Sequence, residues 1–96
     1  MRRAAKIDDN QKQVVEALRK IPGVSIALTA AVGKGVPDFV VGYKGVNYWI
    51  ELKDGDKPPS QRKLTEHEEA WHSKWTGQVS ICNNLDDVLN VIGICQ

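Results

Sequence analysis

Histidine and cysteine are scarce in this chain of 96 residues, with two of each. Cys82 and Cys95 are too few for a disulfide framework and stand in apolar segments, which predicts buried, reduced thiols without a catalytic role. His67 and His72 miss the spacing that sets two ligands on one helix face, so they are not expected to form a zinc pair. No apolar run approaches the roughly 18 residues of a membrane span. The start Met1-Arg2-Arg3 leads into polar Asp8-Asp9-Asn10 rather than an apolar signal core. A cytoplasmic protein with no membrane partner is expected. Neither sign of charge dominates: 13 basic against 12 acidic residues leave +1, so attraction to phosphate must come from local clusters. No internal repeat or low-complexity segment is present, and residues 1–96 are expected to form one domain. That length lies near the low end of what buries an adequate core, so help from a partner chain is expected.

The pattern that is present is α/β. From Asp8 to about Lys20, Val14, Val15, Leu18 and Ile21 recur at helical spacing, with Pro22-Gly23 as the stop. Val24 to Ala30 alternates as a strand. Val36 to Gly42 and Val46 to Lys53 are extended apolar runs around Tyr43-Lys44-Gly45, a hairpin pattern. Asp54 to Leu64, with two prolines, is a loop. Thr65 caps a helix to about Trp75 that ends at Gly77; Gln78 to Cys82 is a short strand. Leu85 to Ile92 is helical behind Asn84, with Asp86 and Asp87 well placed in its first turn. The order helix, three strands, helix, strand, helix predicts an α/β layer fold.

Asp38, Glu51 and Lys53 are the candidate active site. With Lys44-Gly45 as the hairpin loop, Asp38 faces Glu51 across the two strands and points to the same side of the sheet; Lys53 joins that side by the period of two. Facing carboxylates repel unless a proton or cation lies between them. Oxygen ligands without an accompanying thiolate or histidine point to Mg²⁺ or Mn²⁺ rather than zinc. Asp38 and Glu51 would hold the ion, joined by the backbone carbonyl of Leu52. Lys53 would orient a water nucleophile or stabilise charge developing on a phosphate. The plainer reading makes Glu51 and Lys53 solvated strand residues and Asp38 the start of a strand after Pro37.

Pro37-Asp38 followed by Glu51-Leu52-Lys53 resembles the PD-(D/E)XK nuclease superfamily. More closely, Gly33-Lys34-Gly35-Val36-Pro37-Asp38-Phe39-Val40-Val41-Gly42 and Trp49-Ile50-Glu51-Leu52-Lys53-Asp54-Gly55 resemble the VRR-NUC family of virus-type replication and repair nucleases. Pro58-Pro59-Ser60, Lys63-Leu64-Thr65, and Trp71-His72 through Trp75-Thr76-Gly77-Gln78-Val79 are similar to its small phage members, so the likeness spans nearly the whole chain. It implies a restriction-endonuclease-like αβββαβ core followed by a C-terminal helix. It also implies metal-dependent hydrolysis of phosphodiester bonds in DNA by Asp38, Glu51 and Lys53. Stand-alone members are associated with homodimers that cut branched DNA such as four-way junctions. No small-molecule cofactor is implied.

Many members place a glutamate early in the first helix and a glutamine one turn later. Aligned on the apolar positions, these fall on Ile7 and Gln11, and Asp8 is the nearest acid. By helical angle Gln11 lies on the sheet-facing side and Asp8 at its edge, while Glu16 lies nearly opposite. Asp8 is therefore preferred over Glu16 as a helix-borne metal ligand, with Gln11 as support, although Asp8 can equally be an N-terminal cap. Relatives often carry glutamine at the position of Glu68. That carboxylate could join the site, but Thr65-Glu66-His67-Glu68 also spells a capping box, the preferred reading.

Lys34, Lys57, Arg62 and Lys63 flank the proposed site and are candidates for gripping the DNA backbone, as Arg2, Arg3 and Lys6 are from the N-terminal side. Solvated loops explain the same charges. Trp71 and Trp75, one turn apart, are expected to pack their helix on the sheet. Base stacking or burial at a dimer interface is the other reading. Trp49 would seal the floor of the site. Two rivals to a nuclease stay open: a catalytically silent nucleic-acid-binding module, and a phage structural or accessory protein on the same fold.

Overall fold

The computed structural model describes residues 9–94. Asp8, the expected helix carboxylate, lies outside them, as do Arg2, Arg3, Lys6 and Cys95. Helix α1 (Asp9–Arg19) and helix α3 (Leu85–Ile92) flank a four-stranded sheet, with helix α2 (Glu66–Lys74) between the last two strands in sequence. The strands are β1 (Val24–Leu28), β2 (Phe39–Tyr43), β3 (Val46–Leu52) and β4 (Val79–Cys82), in the spatial order β1-β2-β3-β4. The first three form an antiparallel meander; β4 pairs with β3 in parallel. Parallel neighbours need a long crossover, which the loop after β3 and α2 supply. Among the described residues no helix is long and apolar enough to cross a membrane.

The hairpin fixes everything downstream of it. Lys44 and Gly45 both take positive φ, 51° and 80°, the geometry whose twist matches two antiparallel strands joined by a two-residue loop. Tyr43 then faces Val46 and Phe39 faces Ile50, the register expected from the sequence. Strand β1 is shorter than the expected Val24 to Ala30. The N–H groups of Thr29 and Ala30 both turn onto the Asp38 carbonyl, at 2.9 and 3.1 Å, and a 3₁₀ turn over Ala30–Val32 follows. Two donors on one acceptor bend the chain out of the ladder. The loop before α2 likewise contains a 3₁₀ turn, Pro59–Gln61.

The apolar core lies on one face of the sheet. Val14, Val15 and Leu18 of α1 and Val88, Leu89 and Ile92 of α3 are buried with Phe39, Val41, Ile50, Leu52 and Cys82. Asn84 caps α3 by accepting the Asp87 N–H at 2.8 Å, and Gly93 closes it in the left-handed conformation. Strand alternation sends Asp38, Val40, Trp49, Glu51 and Lys53 to the opposite face. Helix α2 covers that face, and none of its described residues is buried. Trp71 and Trp75 stack at 4.7 Å with planes 16° apart, and both meet Trp49 of β3, at 5.6 and 5.5 Å. The two tryptophans do pack the helix on the sheet, though Trp75 stays 40% exposed.

Gly35 holds the other end of α2. Its φ is +85°, and a Cβ there would run into the His67 carbonyl and the Glu68 amide of the first helical turn. Gly35→Ala should therefore cost about 2 kcal/mol or more, from left-handed strain plus a backbone clash. Urea denaturation checks this, with Gly33→Ala as comparison because a Cβ at Gly33, also at positive φ, meets nothing within 4 Å.

Candidate active site

Asp38 enters the site fully tied down. Its N–H donates to the Ile50 carbonyl at 3.0 Å, its carbonyl accepts from Thr29 and Ala30, and its Oδ2 accepts the Leu52 N–H at 2.7 Å. That last bond brings the Leu52 peptide beside the carboxylate. Buried Pro37 and the bond from Thr29 Oγ1 to the Pro37 carbonyl, 2.7 Å, fix the approach to β2. Glu51 follows from the pairing of Phe39 with Ile50, one residue in from Asp38 and Glu51. Its side chain is 2% exposed, which makes it a buried carboxyl on the face opposite the apolar core.

Lys53 closes the cluster. Its Nζ lies 2.7 Å from Glu68 Oε1 and 3.7 Å from Glu51 Oε2. The Lys53 N–H bonds the Cys82 carbonyl at 2.8 Å, and its carbonyl accepts from Asn10 Nδ2 of α1 at 3.2 Å. Glu68 forms the capping box expected of it and also bonds Lys53. Oε1 accepts the Thr65 N–H at 2.9 Å while Thr65 Oγ1 accepts the Glu68 N–H at 3.2 Å, a complete capping box, and the same Oε1 takes the Lys53 ammonium.

A histidine also stands near the acids. His72 Nε2 is 3.9 Å from Glu51 Oε1, and neither atom has a hydrogen-bond partner among the described residues. The signal was present in the sequence as spacing: Glu68 and His72 lie one turn apart and so on one helix face. What was missing was the rotation of that face toward β3.

The remaining expected residues sit as follows. Gln11 is buried and lines a cleft with Val15 and Leu28 between α1 and β1. No hydrogen bond joins it to Asp38, Glu51 or Lys53 among the described residues. Glu16 is exposed and lines the same cleft as Gln11. Lys34, Lys57 and Lys63 are exposed and Arg62 half-buried, its Nε without a partner among the described residues. Lys34 stands in a left-handed turn, φ 56°, beside the Gly35 contact with α2. Cys82 is fully buried, and burial pushes its thiol up to about 12, which removes it as a nucleophile.

The electrostatics are those of too many acids around one base. Burial, then the charges of Asp38 and Glu68, pushes Glu51 up to about 9. Burial also raises Asp38, against the Leu52 N–H that favours its ionised form. The two carboxyls act on each other in opposite senses: Glu51 favours the ionised form of Asp38, and Asp38 favours the protonated form of Glu51. Burial pulls Lys53 down, but the Glu68 hydrogen bond and the Glu51 charge outweigh it and hold the ammonium above its ordinary value. Burial pushes Glu68 up, yet its bonds to Lys53 and Thr65 keep it below the usual carboxylate range. Burial draws His72 below its ordinary value, partly opposed by Glu68.

Such a donor set suits a hard divalent cation: two adjacent carboxyls, one of them with an unpartnered buried oxygen, and a lysine alongside. Among the described residues no three His, Cys, Asp or Glu side chains stand ready-made around one point. Compared with models of known families, with curated proteins and with solved structures, the chain has no match. Its function is therefore inferred from side chains and topology.

A carboxyl raised in the fold stabilises it below the ordinary value of 4.5, and that stability drains as pH rises through about 9. In chelator, melting temperature should fall steadily between about pH 5 and 9. Glu51→Gln should flatten the slope, and a wild-type slope unchanged by that substitution would disprove the assignment to Glu51.

Proposed function

We propose that this chain is a metal-dependent deoxyribonuclease on a restriction-endonuclease-like PD-(D/E)XK core, hydrolysing phosphodiester bonds in branched DNA as a homodimer. One observation carries the reading: the carboxyls of Asp38 and Glu51 and the ammonium of Lys53 meet on one face at one end of the sheet, with a Glu51 oxygen buried and unpartnered. The element order and the meander extended by a parallel β4 support the resemblance of the sequence to VRR-NUC nucleases.

Asp38 and Glu51 would hold Mg²⁺ or Mn²⁺, and the bound ion would supply a water of lowered pKa and neutralise charge at the phosphate. The chain's own part is positional. The Leu52 N–H, the Ile50 carbonyl and the turn at Thr29 and Ala30 leave the Asp38 carboxylate little freedom. Lys53 has three ammonium hydrogens, of which Glu68 takes one, so two can reach a phosphate oxygen or the attacking water. Glu68 thereby sets the direction of the ammonium rather than quenching it. Exposed Lys34, Lys57 and Lys63 would bind the flanking phosphates. A structural or accessory role would leave the burial of Glu51 without a purpose, since a purely structural sheet gains nothing from it.

The test is cleavage of end-labelled four-way junction, flap, single-stranded and linear duplex DNA with Mg²⁺ or Mn²⁺. Asp38→Asn should abolish cutting, and Lys53→Ala should lower it by about a hundredfold or more. Cutting of the junction alone supports the branched-DNA reading; cutting of every substrate keeps the enzyme and discards the preference. Binding without cutting, unchanged by Asp38→Asn, would favour a silent binding module. Sedimentation at working concentration should give a dimer, and a monomer would count against paired sites.

A further inference from the structure

Helix α2 presents two side chains to the charged face of the sheet from one side of its surface, Glu68 toward Lys53 and His72 toward Glu51. The first contact is a full ion pair. The second is incomplete: His72 Nε2 and Glu51 Oε1, 3.9 Å apart, are both buried and both lack a partner among the described residues. Neither tautomer of the ring repairs this. An Nε2–H would be too far to donate, because N–H···O bonds end near about 3.2 Å. A bare Nε2 would aim its lone pair at a carboxyl oxygen.

A cation between the two atoms satisfies both. Zinc and magnesium bond nitrogen or oxygen donors at about 2.0–2.2 Å, so donors 3.9 Å apart lie within reach of one ion once the two side chains shift toward each other. The edge of the His72 ring is set by Trp71, whose indole meets it at 5.6 Å and 74°. Glu51 itself is held by its strand. We propose that His72 is a nitrogen ligand of the cation held by Glu51, and that it makes the site select Mn²⁺ over Mg²⁺. This presupposes the cation-dependent reading of Asp38 and Glu51. An all-oxygen set accommodates Mg²⁺ well, whereas an imidazole donor suits first-row transition ions and gives magnesium little.

The experiment uses the full chain, freed of metal by chelator, and needs no DNA. Mn²⁺ binding is followed by loss of the free-ion electron paramagnetic resonance signal, and Mg²⁺ is measured by competition. The wild type should prefer Mn²⁺ by about tenfold or more, and the bound ion should show electron-spin-echo modulation from a directly ligated imidazole ¹⁴N. His72→Gln should lose both the preference and the modulation while keeping Glu51-dependent Mg²⁺ binding. His67→Gln should keep both, which assigns the nitrogen to His72 even if the His72 variant fails to fold. Absence of ¹⁴N modulation in the wild type, or a Mn²⁺ preference untouched by His72→Gln, overturns the role of His72. If ion binding is then still lost in Glu51→Gln, the nuclease reading stands without it. A wild type that binds neither ion overturns both.

Discussion

The constraint on which this structure turns is a carboxyl buried at the end of a sheet. Ile50 and Leu52 must face the apolar core, and alternation then leaves Glu51 no choice of side. The turn at Lys44-Gly45 sets the register that brings Asp38 opposite it. A slip of one residue would carry Glu51 into the core and Ile50 out of it. The same register that satisfies the hydrophobic side therefore creates the electrostatic problem on the other side: Asp38, Glu51 and Glu68 surround a single ammonium. A shared proton is one solution and a divalent cation is another.

Helix α2 depends on that balance more than on apolar burial. Its anchors are three indoles, one of them partly open to solvent, the Lys53–Glu68 pair and the close approach of Gly35. By contrast α1 and α3 are fixed by interlocked aliphatic side chains. An element with little buried apolar surface sits at the low end of the local stability scale. Charges at the site and the position of α2 are consequently coupled: a change in the net charge beside Glu51 acts on Lys53, through it on Glu68, and so on the first turn of the helix.

The local parts of this arrangement were legible in the sequence, and the non-local ones were not. Lys44-Gly45 between two apolar runs specifies a hairpin, and the hairpin specifies that Asp38, Glu51 and Lys53 share a face. The capping residues Thr65 and Asn84 mark the starts of α2 and α3 from neighbours within four residues. The early end of β1 escaped notice because it is imposed by the Asp38 carbonyl, which collects two N–H groups that a continuing strand would have used elsewhere. His72 escaped for a similar reason. Its spacing from His67 argued against a histidine pair, whereas the carboxyl it approaches is Glu51 on a strand, reached only once α2 is laid across the sheet. Glu68 was visible as half of a capping box, and its second bond, to Lys53, was not.

That second bond bears on how a Glu-x-Lys site can keep its lysine useful. Two carboxylates near an ammonium would normally capture it, and a captured lysine cannot serve a phosphate. Here Glu68 Oε1 is already committed to the Thr65 N–H, so its geometry is set by the helix and not by the lysine. It holds Lys53 at 2.7 Å while Glu51 stands off at 3.7 Å. A cation taken up by Glu51 would weaken the longer contact and leave the shorter one intact. The ammonium would then keep its direction and lose a competitor for its remaining hydrogens. Under the nuclease reading, loading the ion and arming the lysine are thus one event, transmitted through the Glu51 carboxyl.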